Sequence, residues 1–302
     1  MPVNYLLKLD NLEHLGMKWS IPAKTFLLGE YAAIAGASAM VLTTSPCFEL
    51  SLSAQPGLQD IHKDSPAGRY WMQQNHHDVG LQWHDPYRGL GGMGASSAQF
   101  IGAYLATQYL QKKIPTQADL LEAYFQCAWQ GAGTRPSGYD MMAQSLQGCV
   151  YINQQQGDCQ TLSWPFPDIT FLLLHTGKKL PTHQHLQDLV MPNQLHLLTD
   201  IVSSGKQAIE SVNSGQMIEA VNAYHQQLMR MKWVADHSIQ LIESFNEQGD
   251  ILAAKGCGAM GSDVLLFLVP TNKEYSIRHH FLTLGWNTLA TSANLYDGPS
   301  LI

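Results

Sequence analysis

The sequence predicts an α+β fold made of two lobes. Strand-like and helix-like segments alternate without a regular βαβ period, and 302 residues is more than a single hydrophobic core usually spans. Trp164, Pro165 and Pro167 interrupt the pattern near the middle of the chain, which makes 155–168 the predicted boundary. We therefore expect an N-terminal lobe over 1–162 and a C-terminal lobe over 163–302.

The N-terminal half supplies the first elements. Short runs bounded by Gly or Pro predict strands over 19–28 and 41–52. Apolar residues that recur every three or four positions predict helices over 96–112 and 117–129, the second opened by Thr116 as its N-cap.

The C-terminal half begins with an apolar strand. The segment ITFLLLHT predicts that strand directly after the interruption. Helical periodicity follows over 195–212, 215–229 and 231–248, and a second apolar strand is predicted over 263–269.

Composition limits the classes of function. The formal net charge of −7 argues against a nucleic-acid binder or a protein of the membrane surface, because both depend on a broad cationic face. Five cysteines without CxxC spacing predict reduced thiols and a cytoplasmic location. The first residues lack a signal-peptide pattern, no apolar stretch is long enough for a membrane span, and the histidines lack HExxH spacing.

The segment RGLGGMGASSAQ, 88–99, is rich in glycine and leads into a predicted helix. Glycines allow consecutive N–H groups to point at one anion, and a helix N-terminus adds partial positive charge there, which suits the phosphates of a nucleotide. Ser96 and Ser97 stand at the expected N-cap. A plain glycine-rich connection that ends in a serine cap explains the same residues, and neither the Walker pattern nor the dinucleotide fingerprint is present.

Two further segments carry charged residues at element ends. In SIPAKTFLLGEY, 20–31, Lys24 shares a strand face with Phe26 and Leu28 and so points either into a lobe interface or into solvent. In GTRPSGYDMMAQ, 133–144, a Pro-Gly turn places Asp140 at the start of a helix. Asp140 is then either a helix cap or a base that accepts a proton from a hydroxyl nucleophile.

The segment AAKGCGAMGSDVLLFLV, 253–269, contains three glycines within six residues. They separate a segment that we predict to be helical from an apolar strand. This spacing implies either a close backbone approach or an ordinary helix C-cap followed by a turn.

Together these segments resemble the GHMP small-molecule kinase superfamily from end to end. PAKTFLLGEY resembles its first motif, GGMGASSA its second motif GLGSSAA, and KGCGAMGSD its third motif KxxGAGGGD, while PSGYD supplies the aspartate between the last two. The phosphomevalonate kinases are the nearest family, since GEY replaces GEH and the runs AWQG and HTGKKLPT occur. The mevalonate kinases are second.

The resemblance implies an N-terminal lobe like ribosomal protein S5 domain 2, a ferredoxin-like C-terminal lobe, and ATP with Mg²⁺ between them. It implies transfer of the γ-phosphate to a small anionic metabolite by a monomer or homodimer, with Lys24 and Asp140 as the catalytic pair. The implied ATP-binding residues are Gly91, Gly92, Met93, Gly94, Ala95, Ser96 and Ser97, and Ser96 is also the implied Mg²⁺ ligand. The implied substrate-binding residues are Ser137, Gly138, Lys178, Thr182, Gly258, Ala259 and Gly261. The cations expected to hold an anionic acceptor are Arg88, Arg135, Lys178, Lys179 and His183.

Four positions depart from the motifs. Ala23 replaces a glycine, Ala95 a loop serine, and Met260 and Ser262 replace small residues of the third motif. The acidic Mg²⁺ ligand of mevalonate kinases is not evident ahead of the PSG turn. Two alternatives to a kinase therefore stay open: a diphosphomevalonate decarboxylase, and a nucleotide-binding protein of this fold without turnover.

Overall fold

The computed structural model describes residues 16–74, 76, 78–129, 131, 134–178, 195–247 and 249–302. Two β-sheets and the helices packed on them confirm the predicted α+β class. No helix in these ranges is long and apolar enough to cross a membrane.

The first sheet is built around one long strand, β2, which pairs with β1, β4 and β5 in antiparallel fashion. The remaining neighbours are β3, parallel to β4, and β6, antiparallel to β5. The strands are β1 (Lys18–Leu28), β2 (Ala39–Ser53), β3 (Gly57–Gln59), β4 (Gly80–His84), β5 (Cys149–Asn153) and β6 (Asp158–Leu162).

The second sheet is antiparallel throughout, in the order β10-β7-β9-β8. Its strands are β7 (Ile169–His175), β8 (Ala253–Cys257), β9 (Val264–Pro270) and β10 (Thr288–Thr291). The first sheet ends at Leu162 and the second begins at Ile169. A division into lobes at 162 stays a prediction.

Helices cover the two sheets. They are α1 (Pro66–Gln73), α2 (Ala95–Leu110), α3 (Gln117–Ala128), α4 (Tyr139–Gln144), α5 (Leu195–Glu210), α6 (Ser214–Arg230), α7 (Asp236–Asn246) and α8 (Glu274–Thr283). Both α2 and α4 pack on β1 and β2, whereas α6 and α7 pack on β8. These contacts place α2 and α4 beside β1.

Helix α2 is buried on almost all sides, which explains its run of small and apolar residues. It approaches β2 closely at Gly102, where a Cβ atom would lie 2.9 Å from Leu50 Cβ. The largest apolar cluster joins both sheets, since it contains Met40 of β2, Val202 of α5 and Leu266 of β9. The sheets therefore share one hydrophobic core.

Three local predictions were wrong. Residues 253–257 are strand β8 rather than helix, because they pair with β9 along their whole length. The N-cap of α2 is Gly94, in the left-handed region at φ +84°, and neither Ser96 nor Ser97. Helix α7 begins at Asp236 instead of 231, because Lys232 adopts φ +59° and ends the preceding turn.

Candidate active site

One cavity of about 1170 Å³ is lined by residues of all four sequence motifs. Lys24 comes from β1 and Glu30 from the turn that follows it. The glycine-rich segment precedes α2, Asp140 belongs to α4, and Gly258 lies in the turn after β8. The fold therefore brings segments that are far apart in sequence to one place.

Lys24 and Asp140 form an ion pair inside this cavity. Lys24 Nζ lies 2.9 Å from Asp140 Oδ1, and the side chains are 13% and 39% exposed. The ammonium group also lies 4.9 Å from the centre of the Phe26 ring, its neighbour on the same strand face. Asp140 is the second residue of α4, which starts after Gly138 at φ +76°. Its carboxylate can thus meet both a ligand in the cavity and the lysine.

The loop before α2 approaches β1 closely. Lys24 donates its backbone N–H to the carbonyl of Met93 at 2.9 Å. At Gly94 a Cβ atom would lie 2.7 Å from Lys24 Cγ, so only glycine fits. No side chain of the described residues caps α2 at Gly94. The first N–H groups of a helix lack intrahelical partners, so those of α2 are available to an anion.

The loop residues divide into two groups. Gly91, Gly92, Gly94 and Ala95 line the cavity, as does Ser96, which is exposed. Ser97 also lines the cavity but is mostly buried, whereas Met93 is buried and is not among the lining residues. Ser97 Oγ lies within hydrogen-bond distance of both Gly94 O, at 2.9 Å, and Gln144 Oε1.

The third motif touches the glycine-rich loop from the other side. A Cβ atom on Gly92 would lie 2.7 Å from Asp263 Cβ and from Val264 Cγ2. Gly258 and Ala259 line the cavity, whereas Gly261 packs against the backbone of Gly256 and is not among the lining residues. Met260 adopts φ +51°, and its N–H donates to Tyr31 Oη at 3.0 Å.

A buried ion pair connects the turn after β1 to β8 beside this motif. Lys255 Nζ lies 2.7 Å from Glu30 Oε1, and the side chains are 0% and 7% exposed. Lys255 also donates to Phe26 O at 3.3 Å and lies 3.3 Å from Cys257 Sγ. Burial raises the pKa of the Cys257 thiol to about 11, although Lys255 acts in the opposite direction.

Comparison with solved structures finds several kinases. The Streptococcus pneumoniae phosphomevalonate kinase in complex with phosphomevalonate and AMPPNP matches with a TM-score of 0.75 and 15% identity, over 91% of this chain and 99% of that one. The Leishmania major mevalonate kinase in complex with R-mevalonate gives 0.68 and 20%, over 88% and 91%. The Lactococcus lactis galactokinase complexed with galactose gives 0.70 and 11%, over 96% and 97%.

The chain has the GHMP kinase fold. No family model and no curated protein matches the sequence. The structural similarity establishes the GHMP kinase fold and leaves the acceptor open, because the identities are low.

Only some of the residues that were predicted to bind the acceptor line the cavity. Ser137 and Gly138 line the cavity, and so do Arg88 and Arg135. Lys178 does not, and its N–H donates to Thr176 Oγ1 at 3.1 Å. Lys179, Thr182 and His183 lie outside the described residues.

The lining of the cavity is compatible with a metal ion that is carried by a ligand rather than held by a cluster of protein side chains. No group of three or more His, Cys, Asp or Glu in the described part of the chain could hold a metal ion. Mg²⁺ bound to a nucleotide usually takes only one or two protein ligands and fills its shell with phosphate oxygens and water. The exposed hydroxyl of Ser96 supplies an oxygen donor of that kind.

The sequence motifs did not assign two residues, Glu30 and Gln144, to the site. Glu30 lines the cavity and pairs with Lys255, and Gln144 contacts the loop from α4. Gln144 follows Asp140 by four positions, which places both on one helix face. That spacing could have revealed Gln144, whereas nothing local identifies the partner of Glu30.

Proposed function

We propose that this chain transfers the γ-phosphate of ATP to a hydroxyl group of a small anionic metabolite, and that the acceptor is phosphomevalonate. The observation that supports this is the Lys24–Asp140 pair, 2.9 Å apart, in the same cavity as the uncapped start of α2. Phosphoryl transfer needs positioned groups and compensation of charge more than covalent chemistry by the protein.

Each group has a distinct role in this proposal. The N–H groups at the start of α2 bind the phosphates, and Ser96 would hold Mg²⁺, which neutralises charge on the phosphate oxygens when bound. Asp140 orients the acceptor hydroxyl and accepts its proton. Lys24 holds the carboxylate in place and stabilises the negative charge that is shared during transfer.

Arg135 is the cation proposed for the anionic end of the acceptor. Its guanidinium lies 4.4 Å from the centre of the Phe125 ring. The same ring packs at Gly138, where a Cβ atom would lie 3.0 Å from Phe125 Cζ. Arg135 therefore stands on the side of the cavity that holds Asp140, and a planar guanidinium suits bidentate binding of phosphate or carboxylate.

Mevalonate is the second candidate acceptor. The PSGYD segment serves the mevalonate kinases equally well, and the Leishmania major mevalonate kinase, at 20% identity, is one of the matching structures.

A coupled assay of ADP release separates these readings. Mevalonate, phosphomevalonate and diphosphomevalonate are offered separately, and we expect the highest kcat/KM with phosphomevalonate. A higher value with mevalonate supports the second candidate, and CO₂ release with diphosphomevalonate indicates a decarboxylase. Nucleotide binding without ADP release from any acceptor contradicts the kinase proposal.

Replacing Arg135 by methionine tests the acceptor site. Arg135→Met should raise the KM for phosphomevalonate by about 10- to 100-fold, since a charge-assisted hydrogen bond contributes about 1.5–3 kcal/mol. The KM for ATP should stay the same. Arg278→Met is the matched control, because that arginine pairs with Glu274 on the surface of α8. Equal effects of the two variants would exclude Arg135 from the acceptor site.

A further inference from the structure

Gln144 is a fully buried glutamine whose amide is used at both ends. Nε2 donates to Pro22 O at 2.7 Å and to Gly94 O at 3.2 Å, while Oε1 accepts from Ser97 Oγ. Carbonyl oxygens only accept hydrogen bonds, so the nitrogen must face Pro22 and Gly94, which fixes the orientation of the amide. A buried amide is costly without partners, and here the partners lie on two other segments.

Two contacts between α4 and β1 are spaced almost equally along the helix and along the strand. Pro22 and Lys24 are two residues apart on β1, about 6.6 Å along the strand. Asp140 and Gln144 are four residues apart on α4, about 6 Å along the helix. The Lys24–Asp140 and Pro22–Gln144 contacts therefore align α4 on β1 at two points. A helix of six residues depends on such contacts for its orientation.

Gln144 also contacts the loop before α2, in addition to β1. Gly94 is the N-cap of α2, and its carbonyl accepts from Gln144 Nε2. Because Lys24 N–H also bonds Met93 O, the loop is held by β1 and by α4 together. One side chain thus connects the start of α2 with the helix that carries Asp140.

We propose that Gln144 is a positioning residue that sets the distance between the phosphate loop and the carboxylate of Asp140. This inference rests on the proposed phosphoryl transfer. Gln144 is not among the described residues that line the cavity, so it acts through Gly94, Ser97 and the orientation of α4. A displacement of about 1 Å between reacting groups can lower a rate by about 100-fold.

Gln144→Met tests the inference, because methionine is similar in length and has no amide. We expect kcat to fall by about 100-fold and the Kd of the ATP analogue AMPPNP to rise by about 10-fold. In an Asp140→Asn background, the same change should lower kcat by less than about threefold, because the carboxylate being positioned is gone. Gln227→Met, at a buried glutamine of α6 outside the cavity lining, should leave kcat and Kd within about twofold.

Three results would overturn the inference. The first is that Gln144→Met leaves kcat and Kd within about threefold of the wild type, and the second is that its effect on kcat multiplies fully with that of Asp140→Asn. The third is an unchanged Kd for AMPPNP in Gln144→Met, in the case that the wild type releases no ADP with any acceptor. The proposed function fails in that case, and the unchanged Kd overturns the positioning role as well. A rise of about 10-fold in that Kd supports the positioning role even then. If Gln144→Met is insoluble, Gln144→Asn, which retracts the amide by one methylene, is measured against the same criteria.

Discussion

Replacing Gly92 by alanine tests whether the phosphate loop meets the third motif as the structure has it. Gly92 adopts φ +84°, and an added Cβ atom would lie 2.7 Å from Asp263 Cβ and from Val264 Cγ2. Carbon atoms prefer a separation of about 3.5–4.0 Å. Asp263 and Val264 are both buried beside the start of β9, and the Cβ atom of Asp263 can move only with its backbone.

The expected loss of stability has two parts. A residue with a Cβ atom in the left-handed region costs about 1–2 kcal/mol relative to glycine. Forcing an additional carbon into a packed site costs about 1–3 kcal/mol more. Gly285→Ala is the matched control, because Gly285 has φ +85° and no atom lies within 4 Å of its added Cβ atom. The control should lose only the first part.

Chemical denaturation measures this difference. The free energy of unfolding should fall by about 1–3 kcal/mol more in Gly92→Ala than in Gly285→Ala. The Kd for AMPPNP should rise only in Gly92→Ala, since the loop must shift to relieve the contact. Equal losses of stability in the two variants would refute the contact between the loop and the third motif.

Three further predictions concern groups beside the site. Lys255→Met should destabilise the fold by about 3–5 kcal/mol, because it leaves the Glu30 carboxylate buried without its partner. Adding Glu30→Gln to that variant should restore part of the lost free energy of unfolding, measured by urea titration. No recovery would contradict the pairing. Burial, with Lys255 nearby, lowers the pKa of His225 to about 4, so the unfolded chain binds the proton first and stability should fall as the pH drops from about 6.5 to about 4. His225→Gln should flatten the dependence of the unfolding midpoint on pH in that window, and an unchanged profile would count against the burial of this ring. The thiol of Cys257 should resist a thiol reagent at pH 8 in the folded protein while the exposed Cys159 reacts, and equal rates would be inconsistent with the buried thiol.

The elements that the sequence predicted well are those with a strong local signal. Strand β1, predicted over 19–28, spans Lys18–Leu28, and the helix predicted over 117–129 spans Gln117–Ala128. Thr116 caps that helix as predicted, accepting from the Asp119 N–H at 3.1 Å. Periodicity and capping residues depend only on neighbours in the chain, so a sequence displays them directly.

The elements that were missed depend on distant partners. Strand β8 contains Ala and Lys, which favour helix, yet its pairing with β9 and the close contact of Gly256 with Gly261 override that preference. At the start of α2, Ser97 turns its hydroxyl back to Gly94 O instead of capping the helix. Tertiary contacts decide both cases.

The candidate site shows the same division. Lys24 and Asp140 could be named from their motifs, and the structure brings them together. The spacing from Asp140 points to Gln144, but its contact with Pro22 could not be predicted, because the two residues lie 122 positions apart.

Transfer of label from [γ-³²P]ATP to phosphomevalonate tests the central claim most directly. We predict that the wild type moves the label onto the acceptor, and that Asp140→Asn does so about 10²–10⁴-fold more slowly while its Kd for AMPPNP stays unchanged. Label released only as inorganic phosphate, or equal rates in the two proteins, would contradict the assignment of Asp140 as the group that activates the acceptor hydroxyl.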